Sequence, residues 1–217
     1  MIVSRGTIGG VAFEIEDIPH YLDNENSARV LSSENGKISA IWLDEASIIQ
    51  PYLSEIQTMI LSWENGKQPR LALVLGNGCC SIARFLFRAF AGIQVEGVEK
   101  SPEMTGLAKQ YFCSGLPLHR LFIVEEDAFD FVARSQLPKY DIIVVDLFDG
   151  GDFLERQVSF PFLANLEHLL ACNSIVAFNL STAPYDSRRK LADNLSRFPF
   201  LAFKVSDNNF FAFKKAK

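Results

Sequence analysis

The feature that most constrains this chain is a run of apolar segments, several ending in a carboxylate, between Arg70 and Asp149. Leu71-Ala72-Leu73-Val74-Leu75 runs into Gly76-Asn77-Gly78-Cys79-Cys80-Ser81. Later segments run into Glu99, Asp127 and Asp146. Uninterrupted apolar strands belong in a parallel sheet covered on both faces. Ligands of such sheets bind beyond the carboxyl ends of the strands. The order strand, glycine turn, helix, then acid-tipped strands therefore predicts a nucleotide-like ligand read by carboxylates along one sheet edge.

The rest of the chain fits around this stretch. The spacing predicts helices over residues 81–90, 102–112, 128–133, 160–170 and 186–198, and a fifth strand over 174–180. Ser101 is a good N-cap and Pro102 suits the first helical position. The last segments, 200–205 and 210–214, are joined by so short a turn that they must pair antiparallel. Upstream, residues 11–15, 28–31 and 38–43 read as short strands. Asp23-Asn24-Glu25-Asn26 reads as a turn cluster, and Asn35-Gly36 is a hairpin signal. A helix is predicted over 48–63, with Pro51 near its start. The expected architecture is α/β, with a small N-terminal β-meander over residues 1–50 and a Rossmann-like domain over 51–217. A parallel sheet closed by an antiparallel hairpin is the outline of the class I methyltransferase-like fold, with sheet order 3-2-1-4-5-7-6.

Charge limits the partners. Nine acids lie between Leu121 and Glu155, opposed only by Arg134 and Lys139. Such a segment repels phosphate backbones and attracts cations, so no nucleic-acid partner is expected. No apolar run suggests a membrane span and the first residues carry no secretory pattern, so no membrane partner and a cytoplasmic location are the defaults. Cys79, Cys80, Cys113 and Cys172 fit no zinc or disulfide spacing. They read as small thiols in a reducing compartment, and no metal is expected.

Each candidate residue has a chemical reading and a plainer one. Gly76 and Gly78 let the backbone pass close to a ligand, though the turn is shorter on glycine than G-x-G-x-x-G. It would also serve as a tight strand-to-helix connection. Glu99 could accept both hydroxyls of a ribose, or be a solvated strand end paired with Lys100. Asp127 could accept from an exocyclic amine such as adenine N6, or cap the helix that begins at Ala128. Asp146 and Asp149 could hold a cationic amine and take its proton, or belong to a polar loop. An alkylammonium has a pKa of about 10, so it must lose a proton before it attacks carbon.

These residues also carry a resemblance. The block from Val74 to Arg84, Val98-Glu99-Lys100-Ser101-Pro102, Glu126-Asp127-Ala128 and the run from Tyr140 to Gly150 together resemble the spermidine synthase (polyamine aminopropyltransferase) family, in its divergent branch. Trp42-Leu43-Asp44-Glu45-Ala46-Ser47-Ile48-Ile49-Gln50 resembles the strand and D-G-x-x-Q motif that close that family's small β domain. The resemblance implies aminopropyl transfer from decarboxylated S-adenosylmethionine to a putrescine-like amine. It implies a nucleoside site from Gln50, Gly76, Gly78, Glu99, Asp127 and Ala128, with Asp146 as the acid/base residue and Asp149 holding the amine. It also implies a homodimer through the N-terminal β elements. Cys79 departs from the family's Asp, Cys80 from a Gly and Gly150 from a Pro, and Tyr52-Leu53-Ser54-Glu55 lacks the family's His. These departures touch amine and donor-tail recognition more than nucleoside recognition. Methyl transfer from S-adenosylmethionine and a non-catalytic binding protein are the alternatives.

Overall fold

The computed structural model describes residues 1–20, 23–34, 36–42, 51–63, 68–134, 139–149, 151–200, 202–205 and 209–214. Strands β1 (Ile2–Ile8), β2 (Val11–His20), β3 (Asp23–Ser33) and β4 (Gly36–Trp42) form an antiparallel sheet in that order. Two features differ from expectation. Residues 23–26 open β3 rather than forming a turn, since His20 pairs with Asp23 after a bulge; pairing with β2 overrides the local turn preference of Asp and Asn. β1 was not expected at all. It is an edge strand with no fully buried residue, so it needs no strict apolar alternation for a sequence pattern to detect. The Asn35-Gly36 signal does mark a hairpin, with Ser33 paired to Gly36.

Helix α1 (Pro51–Trp63) follows. The start of the predicted helix, Gln50 and most of the Asp-to-Gln motif fall within residues 43–50, outside the described residues. Then come β5 (Leu71–Leu75), α2 (Ser81–Ala89), β6 (Gln94–Glu99), α3 (Pro102–Leu107), β7 (Leu121–Glu125), α4 (Ala128–Arg134) and β8 (Tyr140–Val145). A two-strand hairpin, β9 (Phe148–Asp149) and β10 (Asp152–Phe153), leads to α5 (Phe160–Leu169), β11 (Leu170–Asn179), α6 (Tyr185–Leu195), β12 (Ala202–Val205) and β13 (Asn209–Lys214).

The large sheet has the order β7-β6-β5-β8-β11-β13-β12. Numbered within this sheet, that is 3-2-1-4-5-7-6, as expected. β5, β6, β7, β8 and β11 pair in parallel, and β13 runs antiparallel to both β11 and β12. Alternate residues of β8 divide between the two faces. Ile143 and Val145 pack with α4, α5 and α6, while Ile142 and Val144 pack with α1 and α2. Burying both faces explains the apolar runs, each fully buried Val, Leu, Ile or Phe being worth about 1.5–3 kcal/mol.

Two elements depart locally from expectation. The helix predicted over 102–112 is α-helical to Leu107 and a π-helical turn over Ala108–Phe112. β11 begins at Leu170, four residues early, because Leu170 pairs with Tyr140 before a bulge in which Asn173 has φ +56°. The N-terminal sheet rests on the glycine-turn side of the large one: Phe13, Ile15, Leu31 and Ile41 pack on Cys79 and Phe112. Ser39 Oγ lies 2.8 Å from Ser81 Oγ. Arg29 bonds Asp17 through two nitrogens, at 2.7 and 2.8 Å, and donates to the Tyr111 carbonyl.

Candidate functional site

The site is built where β5, β6 and β8 end. Gly76 and Asn77 both donate their backbone N–H groups to the Val98 carbonyl at 3.0 Å. Asp146 donates its backbone N–H to the Leu75 carbonyl at 2.8 Å. The three strand ends are thus tied together by main-chain bonds. Gly76 has φ +83°, and a Cβ there would stand 2.1 Å from the Asp146 carbonyl oxygen. Asn77 is buried and fills the space left by Gly97 on β6, where a Cβ would come within 2.6 Å of its amide. Cys80 caps α2 with φ +62°, a left-handed conformation that favours glycine. The glycine missing from the sequence motif is therefore replaced by a thiol without loss of the turn. Asn77 Nδ2 bonds Cys80 Sγ at 3.1 Å, which helps hold it.

Glu99 points into this turn. One carboxylate oxygen accepts from the Gly78 N–H and the other from the Ser101 N–H, both at 3.0 Å. Its pairing with Lys100, the plainer expectation, is not what forms. Lys100 Nζ reaches Asp149 Oδ1 instead, at 3.0 Å, with both side chains well exposed. Asp149 therefore lies on the β9–β10 hairpin against a cation supplied by the chain itself. Around Gly78 the space is open among the described residues: none of their heavy atoms lies within 4 Å of the Cβ position.

Asp127 caps α4, its Oδ1 accepting from the N–H groups of Phe129 at 2.8 Å and Asp130 at 3.3 Å. Only Oδ1 is needed for this, so capping and ligand contact are compatible. Ala128 is buried at the first position of α4.

Asp146 is the electrostatic centre. Burial and the nearby negative Glu99 push its carboxyl up to about 6, against a hydrogen bond from Asn179 that favours the ionised form. Asn179 Nδ2 donates to Asp146 Oδ1 at 2.7 Å. Sequence reasoning missed Asn179. Its signal was a polar residue ending an apolar strand, Ile175-Val176-Ala177-Phe178-Asn179. Gln157, also missed, is buried and donates to the Leu147 carbonyl at 3.0 Å. A carboxyl near 6 is partly ionised at neutral pH and can accept a proton from a bound nucleophile.

Cys79 is buried beside Met104 and within reach of the Glu99 charge. It packs into the N-terminal sheet, and burial raises its thiol well above the ordinary range. Cys80 and Cys113 are also buried, with their sulfurs 3.5 Å apart, while Cys172 is exposed. A cavity of about 590 Å³ opens at the amino ends of the strands, lined by Arg70, Gln94, Lys139, Asp141 and Cys172. It lies at the opposite edge from the acids. Among the described residues no group of three or more His, Cys, Asp or Glu side chains could hold a metal, and no helix is long and apolar enough to cross a membrane.

No protein-family model matches the chain. The chain is 27% identical to a polyamine aminopropyltransferase of Vibrio vulnificus over 114 residues, 52% of this chain and 38% of that protein. It is 36% identical to an N-terminal histidine N-methyltransferase of Emericella nidulans over 112 residues, 50% of this chain and 19% of that protein. The matched part is thus well under half the length of either relative. A probable spermidine synthase from Corynebacterium glutamicum superposes with a TM-score of 0.80 at 15% identity, covering 99% of this chain and 80% of that one. A spermidine synthase in complex with the transition state analogue AdoDATO gives 0.70 at 15% identity, covering 100% and 74%. Human methyltransferase-like protein 13 in complex with SAH gives 0.62 at 20% identity, covering 76% and 82%. The fold is therefore one shared by spermidine synthases and class I methyltransferases.

Proposed function

We propose that this chain is a transferase of the spermidine-synthase-like kind. It binds an adenosyl sulfonium donor, decarboxylated S-adenosylmethionine or S-adenosylmethionine, at the carboxyl ends of β5, β6 and β8. The single observation that carries the reading is the convergence of Glu99 and Asp146 on the Gly76–Gly78 turn, close enough for the charge of one to raise the pKa of the other. Glu99 takes the ribose hydroxyls, exchanging its bonds to Gly78 and Ser101 for bonds to the ligand or sharing them with it. Asp127 Oδ2 accepts from the adenine amine, and Ala128 lies beneath the base. The Gly76–Gly78 backbone passes close to the donor, with open space at Gly78 to receive it.

The acceptor is a small amine of the putrescine type. Its nitrogen forms a bond to the carbon attached to sulfur, and the carbon–sulfur pair of electrons leaves with sulfur, which becomes a neutral thioether. The proton from nitrogen goes to Asp146. Orientation of the two reactants and this one proton transfer are most of what the protein must supply.

A second reading, methyl transfer from the intact donor, is favoured by two observations. Cys79, where the resembled family carries an Asp, is a thiol kept neutral by burial, and Asp149 is already paired with Lys100. Neither is then free to hold a cationic aminopropyl tail or amine. Calorimetric titration with both donors and with their thioether products separates the readings. Tighter binding of the decarboxylated donor supports aminopropyl transfer, and tighter binding of the intact donor supports methyl transfer. Binding of none of them overturns the adenosyl site.

A further inference from the structure

Asn179 ends β11 and is almost fully buried, at 1% exposure. Its Nδ2 donates to Asp146 Oδ1 at 2.7 Å, and its own Oδ1 accepts from the Ser181 N–H at 3.0 Å. The second bond fixes the amide. A backbone N–H can only face the oxygen end, so the nitrogen end must face the carboxyl group. β8 and β11 pair in parallel through Val145 and Phe178, which sets the following residues, Asp146 and Asn179, side by side at the same sheet edge. We infer that Asn179 is a positioning residue for Asp146: it occupies one carboxyl oxygen and leaves Oδ2 as the atom offered to the acceptor's proton.

This inference rests on the reading in which Asp146 takes that proton. An asparagine suits the task in two ways. It donates without carrying a charge, so it favours the ionised carboxyl without neutralising it. Its amide is also anchored to backbone, so the carboxyl plane is held and not merely solvated.

Among the described residues the charges around the pair are few. Glu99 on β6 faces Asp146 and works against its ionisation. Lys100 and Asp149 pair with each other at the adjoining loop and hairpin. On the other side, Glu55 of α1 accepts from Asn209 Nδ2 at 2.9 Å, and Asn209 is the ladder partner of Asn179 on β13. β5 contributes Leu, Ala, Leu, Val and Leu and no titratable side chain. With burial and Glu99 both opposing ionisation, the Asn179 amide is the neighbouring group that favours it.

The test is a titration of the unliganded protein by carbon-13 NMR of side-chain carboxyls, with the Asp146 signal assigned by its loss in Asp146→Asn. Asn179→Leu removes the donor to Asp146 without adding a charge beside it. Asn179→Ser is a second variant, should the first fail to fold. The expected result in either is a rise of about one pH unit or more in the Asp146 midpoint, a tenfold gain in proton affinity. The pH profile of transfer moves to higher pH by the same amount, and donor affinity changes less than about twofold. A purely structural role would lower the melting temperature and leave the midpoint in place, and that outcome overturns the inference. The two readings fail separately. A shifted midpoint with no donor bound defeats the transferase reading alone, whereas an unchanged midpoint in an active enzyme defeats the positioning role alone.

Discussion

The carbonyl oxygen of Asp146 occupies the place where a Cβ on Gly76 would stand, 2.1 Å from it. Ligand turn and acid-bearing strand end are therefore in backbone contact, and neither can move without the other. Gly76→Ala meets main chain rather than a flexible side chain and also forces a left-handed residue. It is expected to destabilise the protein by about 3 kcal/mol or more. Gly78→Ala meets nothing within 4 Å among the described residues and is expected to cost only about 1 kcal/mol. Urea unfolding of the two variants checks the contrast.

Asp146→Asn should stabilise the fold while stopping transfer. The carboxyl titrates at about 6 in the folded protein against an ordinary value of 3.8. Its folded pKa is raised, so the folded state holds a proton that the unfolded state has released. Stability is accordingly lost as pH rises from about 4 to about 6, and stays lower above that. Every tenfold difference in proton affinity between the two states is worth about 1.4 kcal/mol. Asn keeps an acceptor for Asn179 and removes the charge. The expected gain is about 1–3 kcal/mol at pH 8 and close to none at pH 3, measured as the difference in denaturant midpoint at the two pH values.

Glu99→Gln replaces one acceptor by an amide group that must meet a backbone N–H of Gly78 or Ser101. Loss of charge-assisted bonds of about 1.5–3 kcal/mol should weaken donor binding by about 10- to 100-fold. Calorimetry with a thioether product reads this directly. An unchanged affinity would remove Glu99 from the site.

The Lys100–Asp149 pair is exposed, so breaking it should barely change stability, by about 0.5 kcal/mol or less. Its effect should fall on the acceptor. Lys100→Ala frees Asp149 for a cationic amine and is expected to lower the acceptor's KM severalfold, with donor affinity unchanged. A raised KM would show that the lysine itself helps to hold the acceptor.

Thiol reactivity should separate the four cysteines. Cys172 is exposed and the other three are buried. One thiol should react promptly with a disulfide reagent in native buffer and four in denaturant. Mass spectrometry counts the adducts.

Much of the large sheet was legible because burial on both faces leaves a plain record: Leu71–Leu75 and Tyr140–Val145 are apolar at every position but Asp141. The carboxylates at the strand ends were legible because they break the apolar runs, although Asp127 and Glu99 also satisfy backbone N–H groups. What the sequence hid is mostly conformational or relational. Cys80 adopts a glycine-like backbone, which no residue preference would suggest. Lys100 adjoins Glu99 in sequence yet pairs with Asp149, since a strand end turns successive side chains apart. Asn179 meets Asp146 only through the register of two strands far apart in the chain. β1 left no trace because an exposed edge imposes little on side chains.

The position of β13 sets the order in which the large sheet can be finished. This strand is the last of its sheet to be synthesised, yet it lies between β11 and β12 and not at the margin. Until it inserts, β11 has an unpaired flank, and Asn179 lacks its ladder partner Asn209. The carboxyl group at Asp146 is translated early, but its surroundings close only when that insertion occurs. A nascent chain halted before residue 209 would expose β11 as a sticky, template-like border. Maturation of the site is thus tied to the arrival of β13, which lies far along the chain from the acid it helps to enclose.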